Sequence, residues 1–145
     1  MKQMPLVKNM MSPFPYSIDI EAPLEAAAKL MQEHNIHHIP VRSEDQIVGI
    51  ITERDLTLAL NLSTDLPENE KISVEAAYTP EPYIVDVNTP IDFVLDEMTK
   101  RKIGSAIVMK SHKLAGIFTI TDAFVKFREL LISVYGEYPE EPEAA

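Results

Sequence analysis

The segment Gly49–Asp55 reads GIITERD, and 67 positions later the segment Gly116–Asp122 reads GIFTITD. The same offset aligns the chain upstream without a gap, so that Pro13–Ile20 falls on Pro80–Val87. A single offset that holds through so many unrelated residue types is the signature of an internal duplication. The sequence therefore predicts two copies of one structural unit.

Each copy has the same order of predicted elements. An alternating stretch predicts a short strand, at Tyr16–Ile20 in the first copy and at Tyr83–Val87 in the second. A proline then stands where a helix begins, Pro23 or Pro90, and Thr89 is a candidate N-cap. Apolar residues follow at helical spacing and give each helix one apolar face: Leu24, Ala27, Ala28 and Met31, and then Ile91, Val94, Leu95 and Met98.

A hairpin and a closing helix complete each unit. Two apolar runs around a polar turn predict the hairpin, at His38–Val41 and Ile47–Ile51 in the first copy. The matching runs of the second copy are Ser105–Met109 and Leu114–Phe118. The predicted fold class is α+β, with two β-α-β-β-α units joined by a polar linker at Asn61–Ile72.

The predicted units are expected to pack on each other. We place the first unit, with its N-terminal segment and linker, in residues 1–66, the second with its closing helix in 67–135, and an acidic disordered tail in 136–145. A unit of about 45 residues buries too little surface to be stable alone. Two copies packed around a pseudo-twofold axis would create two equivalent clefts, where ligand sites tend to occur.

Composition and charge narrow the class of protein. The 145 residues are 46% hydrophobic and 25% charged, which is an ordinary globular mixture. Because 13 Lys and Arg face 23 Asp and Glu, the net charge is −10 and a nucleic-acid partner is disfavoured. No apolar run approaches the roughly 20 residues that span a bilayer, and the N-terminus lacks a signal-peptide pattern. We therefore expect a cytoplasmic chain with no membrane partner.

A Thr-x-x-Asp segment follows a strand and precedes a helix in each copy, at Thr52–Asp55 and at Thr119–Asp122. One interpretation is a capping box, in which the threonine and the acid satisfy free N–H groups of the helix. The other is a ligand site, because a helix N-terminus attracts phosphate and a carboxylate accepts hydrogen bonds from a ribose diol. Glycine at positions 49 and 116 would let a second backbone or a ligand come close.

The order of these motifs resembles a CBS domain, named for cystathionine β-synthase. Ile36–Val41 reads IHHIPV and is followed, after the hairpin turn, by GIITERDL at Gly49–Leu56. The resemblance extends over residues 7–128, and the duplication makes the chain similar to a CBS pair, or Bateman module. It implies a sensor that binds AMP, ADP, ATP or S-adenosylmethionine in the clefts between the copies and regulates another protein, and it implies a homodimer.

The resemblance also implies a nucleotide site in each copy. The aspartates would bond the ribose hydroxyls and the threonines would meet the phosphate, and the residues concerned are Thr52, Arg54, Asp55, Thr119, Thr121 and Asp122. The base would lie against Ile39 and Pro40 or against Ala106 and Ile107, its edge near the backbone of Tyr16–Ile18 or Tyr83–Val85.

The two sites are not expected to be equal. The second copy has SAIV at Ser105–Val108 where the first has HIPV, so equal occupancy is in doubt. The charge of −10 disfavours highly anionic ligands, and AMP is therefore expected to bind better than ATP. Local cations could offset this charge: Arg54, Lys102, Lys110 and Lys113.

A histidine cluster offers a second kind of site. His34 and His38 would share a face if one helix carried both, which would suit a metal ion. Because Asn35-Ile36 is expected to end that helix, no metal requirement is predicted. Two interpretations remain: the histidines have ordinary packing or surface roles, or His37 or His38 lies near the nucleotide phosphate.

The sequence offers no catalytic constellation. It has no cysteine, no serine in a nucleophile elbow, no glycine-rich phosphate loop and no HExxH motif. We therefore expect no enzyme activity. Two functions remain open: a ligand-sensing regulatory module that acts on a separate protein, and a ligand-free dimerisation or interaction module.

Overall fold

The chain folds into four α-helices and eight strands within residues 2–13, 15–67 and 70–137, which a computed structural model describes. This is the α+β fold that the duplication predicted. Of the predicted acidic tail, all but Gly136 and Glu137 lies outside the described residues. None of the described helices is both long enough and apolar enough to cross a membrane.

The elements of the two halves match at the offset of 67. The first half contains β1 (Ser12–Pro13), β2 (Ile18–Asp19), α1 (Leu24–His34), β3 (His38–Ser43), β4 (Gln46–Thr52) and α2 (Glu53–Ser63). The second half contains β5 (Thr79–Pro80), β6 (Ile84–Asp86), α3 (Ile91–Arg101), β7 (Ser105–Lys110), β8 (Lys113–Thr119) and α4 (Ile120–Tyr135).

The first helix of each half buries three of the four residues of its predicted apolar face, whereas Ala28 is half-buried and Leu95 is 40% exposed. Leu24, Ala27 and Met31 of α1 are buried, and the corresponding residues of α3 are buried in the second core: Ile91, Val94 and Met98. Each of these helices ends on a residue with left-handed backbone, Asn35 or Lys102, which closes its last turn.

Two sequence predictions about helix ends need correction. The N-cap of α3 is Pro90 and not Thr89, whose carbonyl instead accepts a 2.8 Å hydrogen bond from the amide of Val7. Helix α2 continues to Ser63, so Asn61–Ser63 belongs to the helix and not to the linker. It extends this far because Ala59 and Ser63 are buried.

A short strand is exchanged between the halves. The first sheet has the order β2-β3-β4-β5, and the second has the order β1-β8-β7-β6. Thus β5, the first strand of the second half, pairs with β4 of the first half, and β1, the first strand of the first half, pairs with β8 of the second. Each sheet is completed by a strand from the opposite side of the duplication.

The segments before the exchanged strands also cross over. Val7 is fully buried in the core of the second half, and Val74 is fully buried in the core of the first. Their amides donate 2.8 Å hydrogen bonds to the carbonyls of Thr89 and Ala22, which are again equivalent positions. The units predicted at 1–66 and 67–135 therefore share their cores, each contributing its leading segment to the other.

Glycine at positions 49 and 116 permits this exchange, and of the two neighbours expected there, a second backbone or a ligand, the structure shows the backbone. A Cβ atom at Gly49 would lie 2.4 Å from the carbonyl oxygen of Thr79, and one at Gly116 would lie 2.8 Å from that of Ser12. The backbones of the two halves could not approach this closely around a side chain. Across the pseudo-twofold axis the sheets meet through a small apolar cluster: Ile50, Ile107 and Ile117.

Substitution of Gly49 by alanine tests the strand exchange. The new methyl would overlap backbone at Thr79, so Gly49→Ala is expected to lower the free energy of unfolding by about 1–3 kcal/mol. Gly104→Ala is the matched control, because the nearest atom to its Cβ would be 3.4 Å away. Urea denaturation measures both variants, and equal stabilities would contradict the predicted steric overlap.

Candidate functional site

The Thr-x-x-Asp segments form capping boxes in both halves. In α2 the Thr52 amide donates to Asp55 Oδ2 at 3.1 Å, and the Asp55 amide donates to Thr52 Oγ1 at 3.1 Å. In α4 the equivalent distances between Thr119 and Asp122 are 2.9 Å and 3.3 Å. The capping interpretation of these motifs is therefore confirmed, and the ligand interpretation has to build on the same geometry.

Each aspartate also holds the exchanged strand. The hydroxyl of Thr79 in β5 donates to Asp55 Oδ2 at 3.1 Å, and the hydroxyl of Ser12 in β1 donates to Asp122 Oδ1 at 3.1 Å. Ser12 and Thr79 are not among the predicted site residues. The sequence does contain a pattern that could have identified them, because both are hydroxyl residues that precede a proline and they lie 67 positions apart.

A cavity of about 350 Å³ opens beside Asp122, between the two halves. We call this the Asp122 cleft. Five of the predicted site residues line it together: Tyr16, His38, Thr119, Thr121 and Asp122. The remaining lining residues include the exchanged strand and the end of α1: Ser12, Pro13, Pro15, Asn35, Ile36, His37 and Ile117. One wall thus comes from each half.

The equivalent positions of the other half surround Asp55, and we call them the Asp55 region. Thr52, Arg54 and Asp55 lie at the start of α2, and Tyr83 follows the exchanged strand. Tyr83 is less exposed than Tyr16, and its buried hydroxyl has no hydrogen-bond partner within the described part of the chain. Burial raises the pKa of this hydroxyl, and the nearby Glu97 carboxylate raises it further.

The tyrosines stack on equivalent residues at the ends of α1 and α3. The Tyr16 ring stacks on the His34 ring with 3.9 Å between centroids. The Arg101 guanidinium lies 4.6 Å from the centroid of the Tyr83 ring, a cation–π contact. Tyr16 is 46% exposed and lines the Asp122 cleft, so its ring is available to a planar ligand.

The side chains expected to contact the base lie elsewhere. Ile39, Pro40, Ala106 and Ile107 are buried, and none of them lines the Asp122 cleft. The physical reason is that β3 and β7 are inner strands, each with one face under its helix and the other facing the opposite sheet. Ile18 and Val85 are likewise buried in the two cores: each is 7% exposed.

The three histidines of the predicted cluster make different contacts, and the His34 ring stacks on Tyr16. Helix α1 ends at His34, as predicted, and the described residues contain no group of three or more His, Cys, Asp or Glu side chains placed to hold a metal ion. His37 Nδ1 lies within hydrogen-bond distance of Glu53 Oε2. Burial lowers the pKa of His38 below its ordinary value, the His37 charge lowers it further, and Asp55 opposes both.

The chain is similar to known proteins along most of its length. A family model described as CBS domain matches it twice, at residues 7–62 and 74–129. The chain is 38% identical over 100 residues to the uncharacterized protein YlbB of Bacillus subtilis, a match that covers 68% of this chain and 65% of that protein. It is 32% identical over 144 residues to a CBS domain-containing protein of Dictyostelium discoideum, covering 92% and 96% of the two chains.

Solved structures show the same architecture. A CBS domain pair in complex with 5′-methylthioadenosine and S-adenosyl-L-methionine superposes with a TM-score of 0.77 at 29% identity. The match covers 88% of this chain and 99% of that one.

We expect the stability of the fold to depend on pH through the partly buried His38. Because its pKa is lower in the folded chain than the ordinary 6.5, the unfolded chain binds more protons, and stability is lost as the pH falls below about 6.5. We expect His38→Gln to lose less stability than the wild type between pH 7 and pH 5.5 in urea denaturation. His34→Gln is the control for an exposed histidine, and a wild type whose loss equals that of His38→Gln would contradict the assignment.

Proposed function

The chain belongs to the CBS domain family, and on this premise we propose that it is a regulatory module that binds an adenosyl ligand between its two CBS motifs. Ligand binding would change its affinity for a separate protein that it regulates. Because adenine nucleotides are metabolites of the cytoplasm, we place its action there.

The observation that carries this proposal is the Asp122 cleft. Its volume of about 350 Å³ falls within the range of small-molecule sites, about 300–1,000 Å³. An exposed aromatic ring, Tyr16, stands on one wall, and the Thr119–Asp122 capping box stands on the other. This combination suits a planar base joined to a sugar, and the solved relative at 29% identity binds two adenosyl ligands.

The aspartates retain capacity for a ribose. A carboxylate offers about four acceptor positions. In the described part of the chain, Asp55 accepts hydrogen bonds from the Thr52 amide and the Thr79 hydroxyl. Asp122 accepts three, from the Thr119 amide, the Thr119 hydroxyl and the Ser12 hydroxyl, and keeps about one position. A ribose hydroxyl can therefore bond to the remaining positions while the helix cap is kept.

We propose binding without catalysis. The Thr119 hydroxyl accepts from the Asp122 amide and donates to the Asp122 carboxylate at 3.2 Å, so it is engaged in capping. A hydroxyl held in this way is poorly placed to attack a substrate, and the carboxylate beside it holds both the helix and a strand.

Among the nucleotides, we propose that AMP binds better than ATP. The chain carries a net charge of −10, so each added phosphate increases the repulsion. Isothermal titration calorimetry compares the two ligands directly, and tighter binding of ATP would contradict this preference.

A thermal-shift experiment tests the binding proposal. Adenine ligands (AMP, ADP, ATP and S-adenosylmethionine) should raise the midpoint of unfolding, and GTP should not. At a ligand concentration of 100 times Kd the stabilisation is about 2.7 kcal/mol, which corresponds to a rise of about 5–10 °C for a chain of this size. The double variant Asp55→Asn, Asp122→Asn should lose this response, since asparagine preserves a cap acceptor but removes the carboxylate.

Asp92→Asn is the matched control for this experiment. Asp92 also lies in the first turn of a helix, α3, but it is neither a lining residue of the Asp122 cleft nor one of the equivalent residues of the Asp55 region. Its variant should respond to adenine ligands as the wild type does. A wild type that does not respond at millimolar ligand would favour the alternative, an interaction module without a ligand.

We further propose that the module is a homodimer that pairs through α4. This helix buries none of its residues, and its exposed apolar side chains repeat at intervals of four and three: Ile120, Phe124, Phe127, Leu131 and Val134. Such spacing is typical of a seam between helices. Leu58 and Leu62 of α2, which lie one helical turn apart, are also exposed, 62% and 76%.

Light scattering coupled to size-exclusion chromatography tests the dimer. Phe127→Lys places a charge in the centre of the seam and should cost about 2 kcal/mol or more of association free energy, enough to yield monomers at micromolar concentration. Ser133→Lys adds the same charge at an exposed position on the opposite side of α4 and should remain dimeric. A monomeric wild type, or a dimeric Phe127→Lys variant, would overturn the proposal.

A further inference from the structure

A second cavity lies between the two hairpin turns, at the ends of β4 and β8 that are opposite the capping boxes. Its volume of about 440 Å³ falls within the range of small-molecule sites, about 300–1,000 Å³. Most of its lining residues form pairs at the offset of 67: positions 42 and 109, 44 and 111, 45 and 112, and 47 and 114. A cavity lined by equivalent residues of both halves straddles the pseudo-twofold axis, and we call it the axial cavity.

The two turns bring opposite charges to the axial cavity. Glu44 and Asp45 line it from the first half, and His112 and Lys113 line it from the second; all four are exposed. None of the four is in an ion pair with another residue of the described ranges. Arg42, which also lines the cavity, is paired with Asp19 at 3.2 Å. The cavity thus has an acidic wall and a basic wall that do not neutralise each other.

The floor of the axial cavity is apolar. Ile47, Met109 and Leu114 line it and are half-buried. They pack against the apolar cluster through which the two sheets meet. An apolar group placed on this floor would be removed from water between the two charged walls.

The backbone of the turns is unusual for the residues that it carries. Each turn has two central residues, and three of these four have positive φ without being glycine: Glu44 at 56°, Ser111 at 49° and His112 at 64°. Hairpin turns with positive φ favour Gly, Asn or Asp, because other side chains are strained there. All three of these residues line the axial cavity. Strain of this kind is concentrated at functional sites, so it supports a role for the cavity.

We propose that the axial cavity binds a small zwitterion with an apolar body, the chemical class of apolar amino acids and short apolar peptides. The ligand's ammonium group bonds to Glu44 and Asp45, and its carboxylate bonds to Lys113 and to the ring of His112. Its apolar body lies on the floor. A ligand with only one charge would leave one wall without a counter-charge. Because the zwitterion contacts both turns, it joins the two halves at the end opposite the capping boxes, and its binding does not depend on the adenosyl ligand.

Isothermal titration calorimetry with L-leucine and the dipeptide Leu-Leu tests the proposal, because these probes carry the same two charges at a shorter and a longer spacing. We expect at least one of them to bind to the wild type. Two analogues of leucine each lack one charge: 4-methylpentanoate has no ammonium group, and 3-methylbutylamine has no carboxylate. Each should bind at least about tenfold more weakly than the better zwitterion, the loss of one charge-assisted interaction.

Variants of the turns locate the site. Lys113→Gln and the double variant Glu44→Gln, Asp45→Asn should each weaken binding of the zwitterion by at least about tenfold. Lys110→Gln is the matched control, because Lys110 is exposed in the same hairpin and does not line the axial cavity. Thermal unfolding checks that all variants are folded.

Three results would overturn the proposal: neither zwitterion binds at millimolar concentration, the single-charge analogues bind as tightly, or Lys113→Gln binds like the wild type. Asp122→Asn keeps this test separate from that of the adenosyl site, since its carboxylate lies at the other end of β8 and the variant should bind the zwitterion as the wild type does.

Discussion

The structure depends on the exchange of one short strand between the two halves of the chain. Strand β5 completes the first sheet and β1 completes the second, and each is held by a hydroxyl that donates to the aspartate at a helix N-terminus. The exchange is possible because Gly49 and Gly116 leave room for a second backbone. Neither half therefore has a complete core or a complete cleft by itself.

The same carboxylate group contributes to the stability of the fold and to the candidate ligand site. The Asp122 carboxylate caps α4, anchors β1 through Ser12, and lies in the wall of the cavity between the halves. A ligand that bonds this carboxylate acts on a group that already holds the two halves together. Binding energy can thus be transmitted to the relative position of the halves without an additional moving element.

Much of the fold could be predicted because each sequence pattern occurs twice, once in each copy of the duplicated unit. The α+β class, the amphipathic helices, the hairpins and the role of the two glycines follow from residues that recur at one offset. The exchange itself could not be predicted in this way, because a two-residue strand such as Ser12–Pro13 has no periodicity of its own. Its partner is decided by long-range pairing, which local patterns do not report.

The candidate site could likewise be predicted only in part from the sequence. The capping boxes could be predicted because each is a local motif, at Thr52–Asp55 and at Thr119–Asp122. The burial of Ile39 and Pro40 could not, because it depends on which faces of the strand are covered by other parts of the fold.

A crystal structure of the chain grown with AMP tests the central claim most directly. The account predicts electron density for the nucleotide in the Asp122 cleft, with its base against the Tyr16 ring and its ribose hydroxyls within hydrogen-bond distance of the Asp122 carboxylate. Nucleotide bound away from this cleft and from the Asp55 region, or no bound nucleotide at millimolar AMP, would contradict it.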